Sequence, residues 1–312
     1  MAGLKTWFVI INPTSGNGSG KKKWAKIKRL LNTYGFDFDY AFTEYKNHSN
    51  QIVKSVIKKG YKNIISVGGD GTLHNIVNGI MQQNKISTKS ITIGVIPIGT
   101  GNDWAKTHHI PKNLESAIQI IKKGKIKIQD IGKIEYKNEN RKPVYFMNLA
   151  GIGFDGYVVS RVKEYKRLGS LAYLFGALAG LMSFKKFQSK VHLNTKQISG
   201  KTLMILIGLC KYSGGGMQLT KTPNPFDGLF DISIVKNLKK FDVIKNITKL
   251  FNGKIVNNKY VESHKCNTIT IEIFEENLPY IQADGELIGS GNISVTIIPL
   301  AFSFYCKKKS AN

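Results

Sequence analysis

Three glycine-rich segments, each placed just after an apolar run, carry residue types suited to handling phosphate. They are Asn12-Pro13-Thr14-Ser15-Gly16-Asn17-Gly18-Ser19-Gly20-Lys21, Gly68-Gly69-Asp70-Gly71-Thr72 and Gly99-Thr100-Gly101-Asn102-Asp103. Glycine permits positive φ and lets backbone amides come close to an anion. In the second segment a single carboxylate, Asp70, lies among bare amides, which suits Mg²⁺ or a substrate hydroxyl; a simple helix cap is the plainer alternative. Asn102 and Asp103 can cap the next helix or reach back to Asp70, and Thr100 adds a hydroxyl. His74, one turn further on, reads as solvated or packed, and at most a minor contact. The first segment nearly matches two known patterns and fits neither. A P-loop needs Gly at Ser15 and Ser or Thr at Lys22, and a dinucleotide fingerprint needs Gly at Lys21. A flexible strand-to-helix loop is the alternative there.

The elements that must position these segments alternate. Trp7–Asn12, Phe36–Thr43, Asn63–Val67 and Ile91–Pro97 read as strands. Lys22–Tyr34, Ser49–Lys59 and Thr72–Met81 have the apolar spacing of helices. This order predicts a parallel sheet covered by helices, with the glycine turns gathered at its carboxyl edge, where ligands bind. After about residue 130 the pattern changes. Val144–Ala150, Leu203–Leu209, Phe230–Val235, Thr268–Phe274 and Ile293–Ile298 are strand-like, with helical stretches near Tyr157–Tyr165, Gly169–Phe184 and Phe241–Phe251. The expectation is an α/β domain over residues 1–130 and a β-rich sandwich with helical insertions over 131–312. A last strand near 300–306 could return to the first domain.

Composition bounds the partners. The 312 residues hold 46 Lys and Arg against 20 Asp and Glu, a net charge of +26. Such a surplus must lie at the surface and would attract polyanions: nucleic acid, an anionic membrane or nucleotide phosphates. A plain alternative is a solvated lysine-rich surface. The basic residues are spread along the chain without an arginine-rich arm or a DNA-reading motif, so no nucleic acid partner is expected. Cys210, Cys266 and Cys306 are far apart, show no metal spacing and read as reduced thiols in a cytoplasmic protein. The longest uncharged run, Leu168–Phe184, is short for a membrane span. A buried or interfacial helix is expected there.

Taken together, the motifs resemble the catalytic family of diacylglycerol kinases, which includes sphingosine and ceramide kinases. NPTSG at Asn12–Gly16, GGDGT at Gly68–Thr72 and PIGTGND at Pro97–Asp103 stand in the family's order. In the second half, Asn148–Asp155 (NLAGIGFD), Gly214–Met217 with Phe226–Asp231, and Asp284-Gly285-Glu286 are similar to later family segments, and Asp130 stands in QDIG. GGDGT alone is shared with NAD kinases and 6-phosphofructokinases, whose α/β fold the first domain resembles.

The resemblance implies an ATP- and Mg²⁺-dependent lipid kinase, with diacylglycerol as the default acceptor. Gly68, Gly69, Asp70, Gly71, Thr72, Leu73, His74, Thr100, Gly101 and Asn102 would hold the ATP phosphates together with Asn12, Ser15 and Gly16, with Thr43 near the nucleotide. Asp70, Asp103 and Asp130 would surround catalytic Mg²⁺. Asp284 would be the general base, with Glu286 assisting; one branch of the family gives the base role to the position of Asp70, and that choice stays open. A separate structural Mg²⁺ would take Asp227 and backbone oxygens of Asn224 and Leu229. A kinase of a soluble acceptor, NAD-kinase-like, and a non-catalytic binder of nucleotide or anionic lipid remain alternatives. A lipid acceptor implies reversible, peripheral attachment to an anionic membrane surface, and a homodimer is left open.

Overall fold

The run Trp7–Ile11 (WFVII) has no polar residue and is too short for a helix, so it suits a strand flanked on both edges. In the computed structural model, which describes residues 6–137, 139–165, 184–236 and 247–307, it is β1. The first unit continues with α1 (Ser15–Thr33), β2 (Phe38–Phe42), α2 (His48–Lys58), β3 (Asn63–Gly68), α3 (Asp70–Gln82), β4 (Thr92–Pro97), α4 (Asp103–Thr107) and α5 (Leu114–Lys123). The strands lie parallel in the order β2-β1-β3-β4. β1, β3 and β4 are therefore side by side, and the glycine turns that follow them share one edge. Ile27 and Leu31 of α1 and Ile118 and Ile121 of α5 close a core over Val9, Ile11, Val67 and Ile96. Asn113 caps α5 by accepting the Ser116 amide.

The chain divides into two units at Gln129 and Leu300: residues up to Gln129 and from Leu300 form one, Asp130–Pro299 the other. It leaves the first unit within β5 (Lys125–Tyr136). The second unit holds β6 (Val144–Phe146), β7 (Leu149–Gly153), α6 (Phe154–Tyr165), β8 (Phe187–Leu193), β9 (Lys196–Thr202), β10 (Met204–Gly208), β11 (Phe230–Val235), β12 (Val261–Cys266), β13 (Thr268–Ile273), β14 (Tyr280–Ala283) and β15 (Glu286–Ser290). The chain returns along β16 (Ile293–Cys306), whose Ser303 and Phe304 pair in parallel with Thr92 and Ile93.

An antiparallel sheet, β12-β11-β10-β7-β14-β15, faces a layer built from β9, β8, β13 and the first half of β16. Period-two alternation supplies the shared core. Ile205, Ile207, Ile232 and Ile234 from one layer pack with Val191, Ile269, Ile271 and Val295 from the other. The expected α/β domain with a parallel sheet and the expected β-rich sandwich are both present.

Three local differences from the sequence reading matter. The helical run after β1 starts at Ser15, but Gly16, Asn17 and Gly18 have left-handed φ of 60°, 56° and 83°, so regular helix begins only beyond them. Helix α3 begins at Asp70, two residues before the expected Thr72, which makes Asp70 its first residue. Of the apolar stretch Leu168–Phe184, only Phe184 lies within the described residues; its ring packs on Phe154 at 5.6 Å. Part of the helix expected over Phe241–Phe251 also lies outside them. Among the described residues no helix is long and apolar enough to cross a membrane.

Candidate active site

In the first unit the three glycine turns meet at the carboxyl ends of β1, β3 and β4. The approach is too close for side chains: a Cβ on Gly99 would lie 2.6 Å from the Gly69 Cα, and one on Gly16 would lie 2.1 Å from the Ile98 carbonyl oxygen. Ser15 Oγ stands 3.5 Å from the Cβ position of Gly69. Polar side chains tie the turns together. Asn12 Nδ2 donates to Thr72 Oγ1 at 2.9 Å, and Asn12 Oδ1 accepts the Thr14 amide and hydroxyl. Asn102, buried and left-handed, accepts the Gly99 amide and donates to the Gly99 carbonyl. The left-handed residues Gly16–Gly18 delay the start of regular helix, and the Gly18 amide donates to the Thr14 carbonyl at 3.1 Å.

Asp70 is the first residue of α3, directly after the N-cap Gly69. Its Oδ2 accepts the amide of Asp103 at 3.2 Å and its Oδ1 the amide of Trp104 at 3.3 Å, at the start of α4. Both carboxylates also converge on Gly101. A Cβ there would meet Asp70 Oδ2 at 3.2 Å and Asp103 Oδ2 at 3.6 Å. Mg²⁺ commonly takes one or two carboxylates and completes its octahedron with phosphate and water oxygens. The Asp70–Asp103 pair fits that donor set, while no group of three or more His, Cys, Asp or Glu side chains among the described residues is placed to hold a metal alone.

The remaining residues of the first unit divide by exposure. Thr100 is exposed at the tip of its turn, and Thr43 is half-buried beyond β2, its amide on the Ile11 carbonyl. Gly68 and Thr72 pack against each other, and Gly71 is half-buried. Leu73 and His74 are buried side chains of α3, and His74 Nε2 lies 3.3 Å from Asn78 Nδ2. Their position suits support of the helix start more than direct contact with a ligand.

In the second unit, Asp130 is buried and serves the loop before β11. Its amide donates to the Pro225 carbonyl, and its Oδ2 accepts the Gly228 amide at 2.8 Å. In that loop Asp227 Oδ1 accepts the Leu229 amide, Asp227 Oδ2 takes the Lys265 ammonium at 3.1 Å, and Asn224 Oδ1 accepts the Phe226 amide. The loop expected to hold a structural Mg²⁺ thus has a lysine at its carboxylate. In this arrangement Asp227 is paired with an ammonium, and the like charge of Lys265 would oppose a second cation beside it.

Asp284 and Gly285 form a two-residue turn joining β14 to β15, with left-handed φ of 52° and 82° and Ala283 paired to Glu286. Asp-Gly is the favoured sequence for such a hairpin. The Asp284 carboxylate is buried and accepts three successive amides: Met147 at 3.1 Å, Asn148 at 2.9 Å and Leu149 at 3.2 Å. Its own amide donates to the Leu149 carbonyl. Asp284 is thereby fixed to the β6–β7 corner, and half-buried Glu286 follows at the start of β15.

Sequence reasoning missed Asp155 and Gln282 beside this turn. Gln282 Nε2 donates to Asp155 Oδ2, and Gln282 Oε1 accepts the Gly285 amide at 2.8 Å. Burial pushes the Asp155 carboxyl up to about 6, with the Gln282 hydrogen bond pulling the other way. Asp155 directly follows the apolar run Leu149–Phe154, and a carboxylate at the end of that run was the available signal.

Comparison with known proteins agrees along most of the chain. Residues 6–134 match the family model described as the diacylglycerol kinase catalytic domain, and residues 148–306 that of the YegS C-terminal NAD kinase beta sandwich-like domain. A diacylglycerol kinase of Bacillus subtilis (strain 168) is 28% identical over 293 residues, covering 92% of this chain and 91% of that one. A diacylglycerol kinase of Staphylococcus carnosus (strain TM300) is 28% identical over 285 residues, covering 90% and 88%. A crystal structure of a diacylglycerol kinase from Bacillus anthracis str. Sterne gives a TM-score of 0.71 at 21% identity over 98% of both chains, a likeness of fold.

Proposed function

The chain belongs to the family of diacylglycerol kinase catalytic domains and is an ATP-dependent lipid kinase, and from that premise we propose that its acceptor is the free hydroxyl of diacylglycerol, giving phosphatidic acid. The observation that carries the reading is the convergence of Asp70 and Asp103 on Gly101, beside the three glycine turns. It puts negative oxygen ligands next to backbone amides, the two kinds of group that a triphosphate and its cation need.

The amides of Gly16 and Asn17 and the start of α3 receive phosphate oxygens, and Thr100 offers a hydroxyl from its exposed tip. Asp70 and Asp103 would hold Mg²⁺, which would supply positive charge to offset that of the phosphates. Because Asp70 and Asp103 converge on Gly101 among the glycine turns, we assign Asp70 to the cation and not to proton removal. Asp284 takes the base role. The lipid hydroxyl oxygen forms a bond to the γ-phosphorus, the bond from that phosphorus to the β,γ-bridging oxygen breaks, ADP leaves, and the hydroxyl proton passes to Asp284. Phosphoryl transfer relies mainly on positioning and charge neutralisation, and three amides hold the Asp284 carboxylate in one orientation.

A soluble acceptor is the second reading, favoured by the NAD kinase-like description of the family model over residues 148–306. One experiment separates the two. γ-Labelled ATP is incubated with the protein and, in parallel, with diacylglycerol, ceramide and a sphingoid base in mixed micelles, or with NAD in solution. Label should enter the organic phase with diacylglycerol and comigrate with phosphatidic acid. Label in another lipid alone would replace the acceptor, and label in NAD alone would replace the lipid reading.

A further inference from the structure

The Asp284–Gly285 turn has a support on its other side that the phosphoryl-transfer scheme does not use. It starts from Gly151 in β7, which pairs with Gln282 in β14. The Asp155 carboxylate occupies the space a side chain at Gly151 would need: a Cβ there would lie 2.0 Å from Asp155 Oδ2. Gly156, the next residue of α6, lets the helix settle on β14, since a Cβ on it would lie 2.3 Å from the Tyr280 carbonyl oxygen. The two glycines bring the start of α6 down onto the strand that leads into the turn. The pairing of β14 with β15 shifts register between Ile281 and Gln282, the kind of irregularity that re-aims a side chain.

Gln282 is buried and uses both ends of its amide: Nε2 toward Asp155, Oε1 toward the Gly285 amide. An amide can face either way, and an ionised carboxylate removes that freedom because it only accepts. With its nitrogen turned to Asp155, Gln282 must present oxygen to Gly285. Reversed, it would set an N–H against the Gly285 N–H and leave that donor unsatisfied. Gly285 and Asp284 both hold left-handed φ. That conformation is open to aspartate but not favoured by it, so it needs support from its surroundings.

We propose that Asp155 and Gln282 are positioning residues for the Asp284 turn, Asp155 by fixing the direction of the Gln282 amide and Gln282 by holding the Gly285 N–H. The inference rests on the assignment of Asp284 as base, and it assigns no contact with substrate to either residue. Gln282→Leu keeps the volume and removes both hydrogen bonds. Asp155→Leu leaves Gln282 in place without its acceptor and is the second variant if Gln282→Leu fails to fold. Asp155→Asn keeps an acceptor oxygen but adds a donor, so it should fix the Gln282 direction only in part.

Two readouts are taken on the full chain. The first is turnover with diacylglycerol micelles. kcat should fall about 10- to 100-fold in Gln282→Leu and Asp155→Leu, as expected when a reacting group is displaced by a fraction of an ångström to about 1 Å. KM for ATP should stay within about twofold, and kcat of Asp155→Asn should fall between the parent and Asp155→Leu. The second readout needs no activity: hydrogen exchange of the peptide spanning Tyr280–Ser290. It should quicken in the two Leu variants while peptides from β10 and β11 keep their rates. If the parent phosphorylates no lipid, the proposed function fails, yet exchange still reads the pair. Unchanged exchange at the turn would overturn the positioning role. So would faster exchange with kcat intact, which would make the pair a stability element only.

Discussion

Asp70 directly follows the Gly68-Gly69 pair, yet its carboxylate serves the amide of Asp103, thirty-three residues later, at 3.2 Å. A carboxylate at the start of one helix thus organises the start of another, and the two acidic side chains come to one point beside Gly101. The glycine turns of β3 and β4 are locked by this relation as much as by their close backbones.

Two substitutions separate the structural from the chemical part of Asp70. Asp70→Ala leaves the Asp103 and Trp104 amides without their acceptor and should cost about 1–3 kcal/mol of stability, as lost partners of largely buried donors do. Asp70→Asn keeps one amide acceptor but loses the charge, so it should keep more of the stability and still lose phosphoryl transfer. Denaturant unfolding of both variants, beside their turnover, checks this; equal stability losses would remove the structural part of the account.

His108 gives the first unit a defined acid sensitivity. It lies among Trp104 and Phe304 rings with centroids at 4.4 and 4.5 Å, and burial pushes its pKa down to about 3 against a hydrogen bond with Gln129. The folded chain therefore prefers the neutral ring. Above the unfolded value of about 6.5 this preference has no effect on the pH dependence; as pH falls below about 6.5 the unfolded chain binds the proton and the folded chain does not, so stability drops. At about 1.4 kcal/mol per pH unit, lowering pH from about 6.5 to about 5 should remove about 2 kcal/mol. His108→Phe should flatten that part of the stability–pH curve. A slope unchanged by the substitution would place the acid sensitivity elsewhere.

The Asp227 loop predicts a result with chelator. With Lys265 at the carboxylate, EDTA should leave the melting temperature unchanged, and Lys265→Ala should lower stability by no more than about 1 kcal/mol, as for a partly exposed ion pair. A drop in melting temperature with EDTA that Mg²⁺ reverses, and that Asp227→Ala abolishes, would restore a dication to this loop.

The sequence made some of this site readable and hid the rest for physical reasons. Glycine turns after apolar runs announced themselves, because parallel strands must release their chain at one edge and glycine is needed where backbones nearly touch. Asp70, Asp103 and Asp284 stood in motifs. What they hold could not be read from the motifs: the amides of Trp104, Met147 and Leu149 are anonymous in a sequence. Asp155 and Gln282 meet across 127 positions only through the β7–β14 register and the missing side chain at Gly151. Lys265 was one lysine among many, and only the pairing of β11 with β12 sets Asp231 opposite it, close to the Asp227 loop.

A lipid acceptor would call for work at a membrane surface, and the +26 net charge would serve to bring the chain there. Each basic side chain near an anionic leaflet contributes about 1 kcal/mol. Binding to anionic vesicles should be reversible and weaken steeply as the Debye length shortens from about 10 Å at 0.1 M salt to about 3 Å at 1 M. Co-sedimentation across a salt series measures it. Equal binding to neutral and anionic vesicles would remove charge as the cause.

The most direct measurement is the turnover of Asp284→Asn with diacylglycerol and ATP, taken beside its affinity for ATP. The substituted side chain would keep a carbonyl oxygen for part of the amide set, so the fold and the first-unit nucleotide turns should persist, while the hydroxyl proton loses its acceptor. The account predicts phosphatidic acid formation reduced by at least about 100-fold, at the low end of what a positioned base contributes, with ATP affinity within about twofold of the parent. Turnover within a few-fold of the parent would contradict it and pass the base role to another carboxylate, Asp70 first.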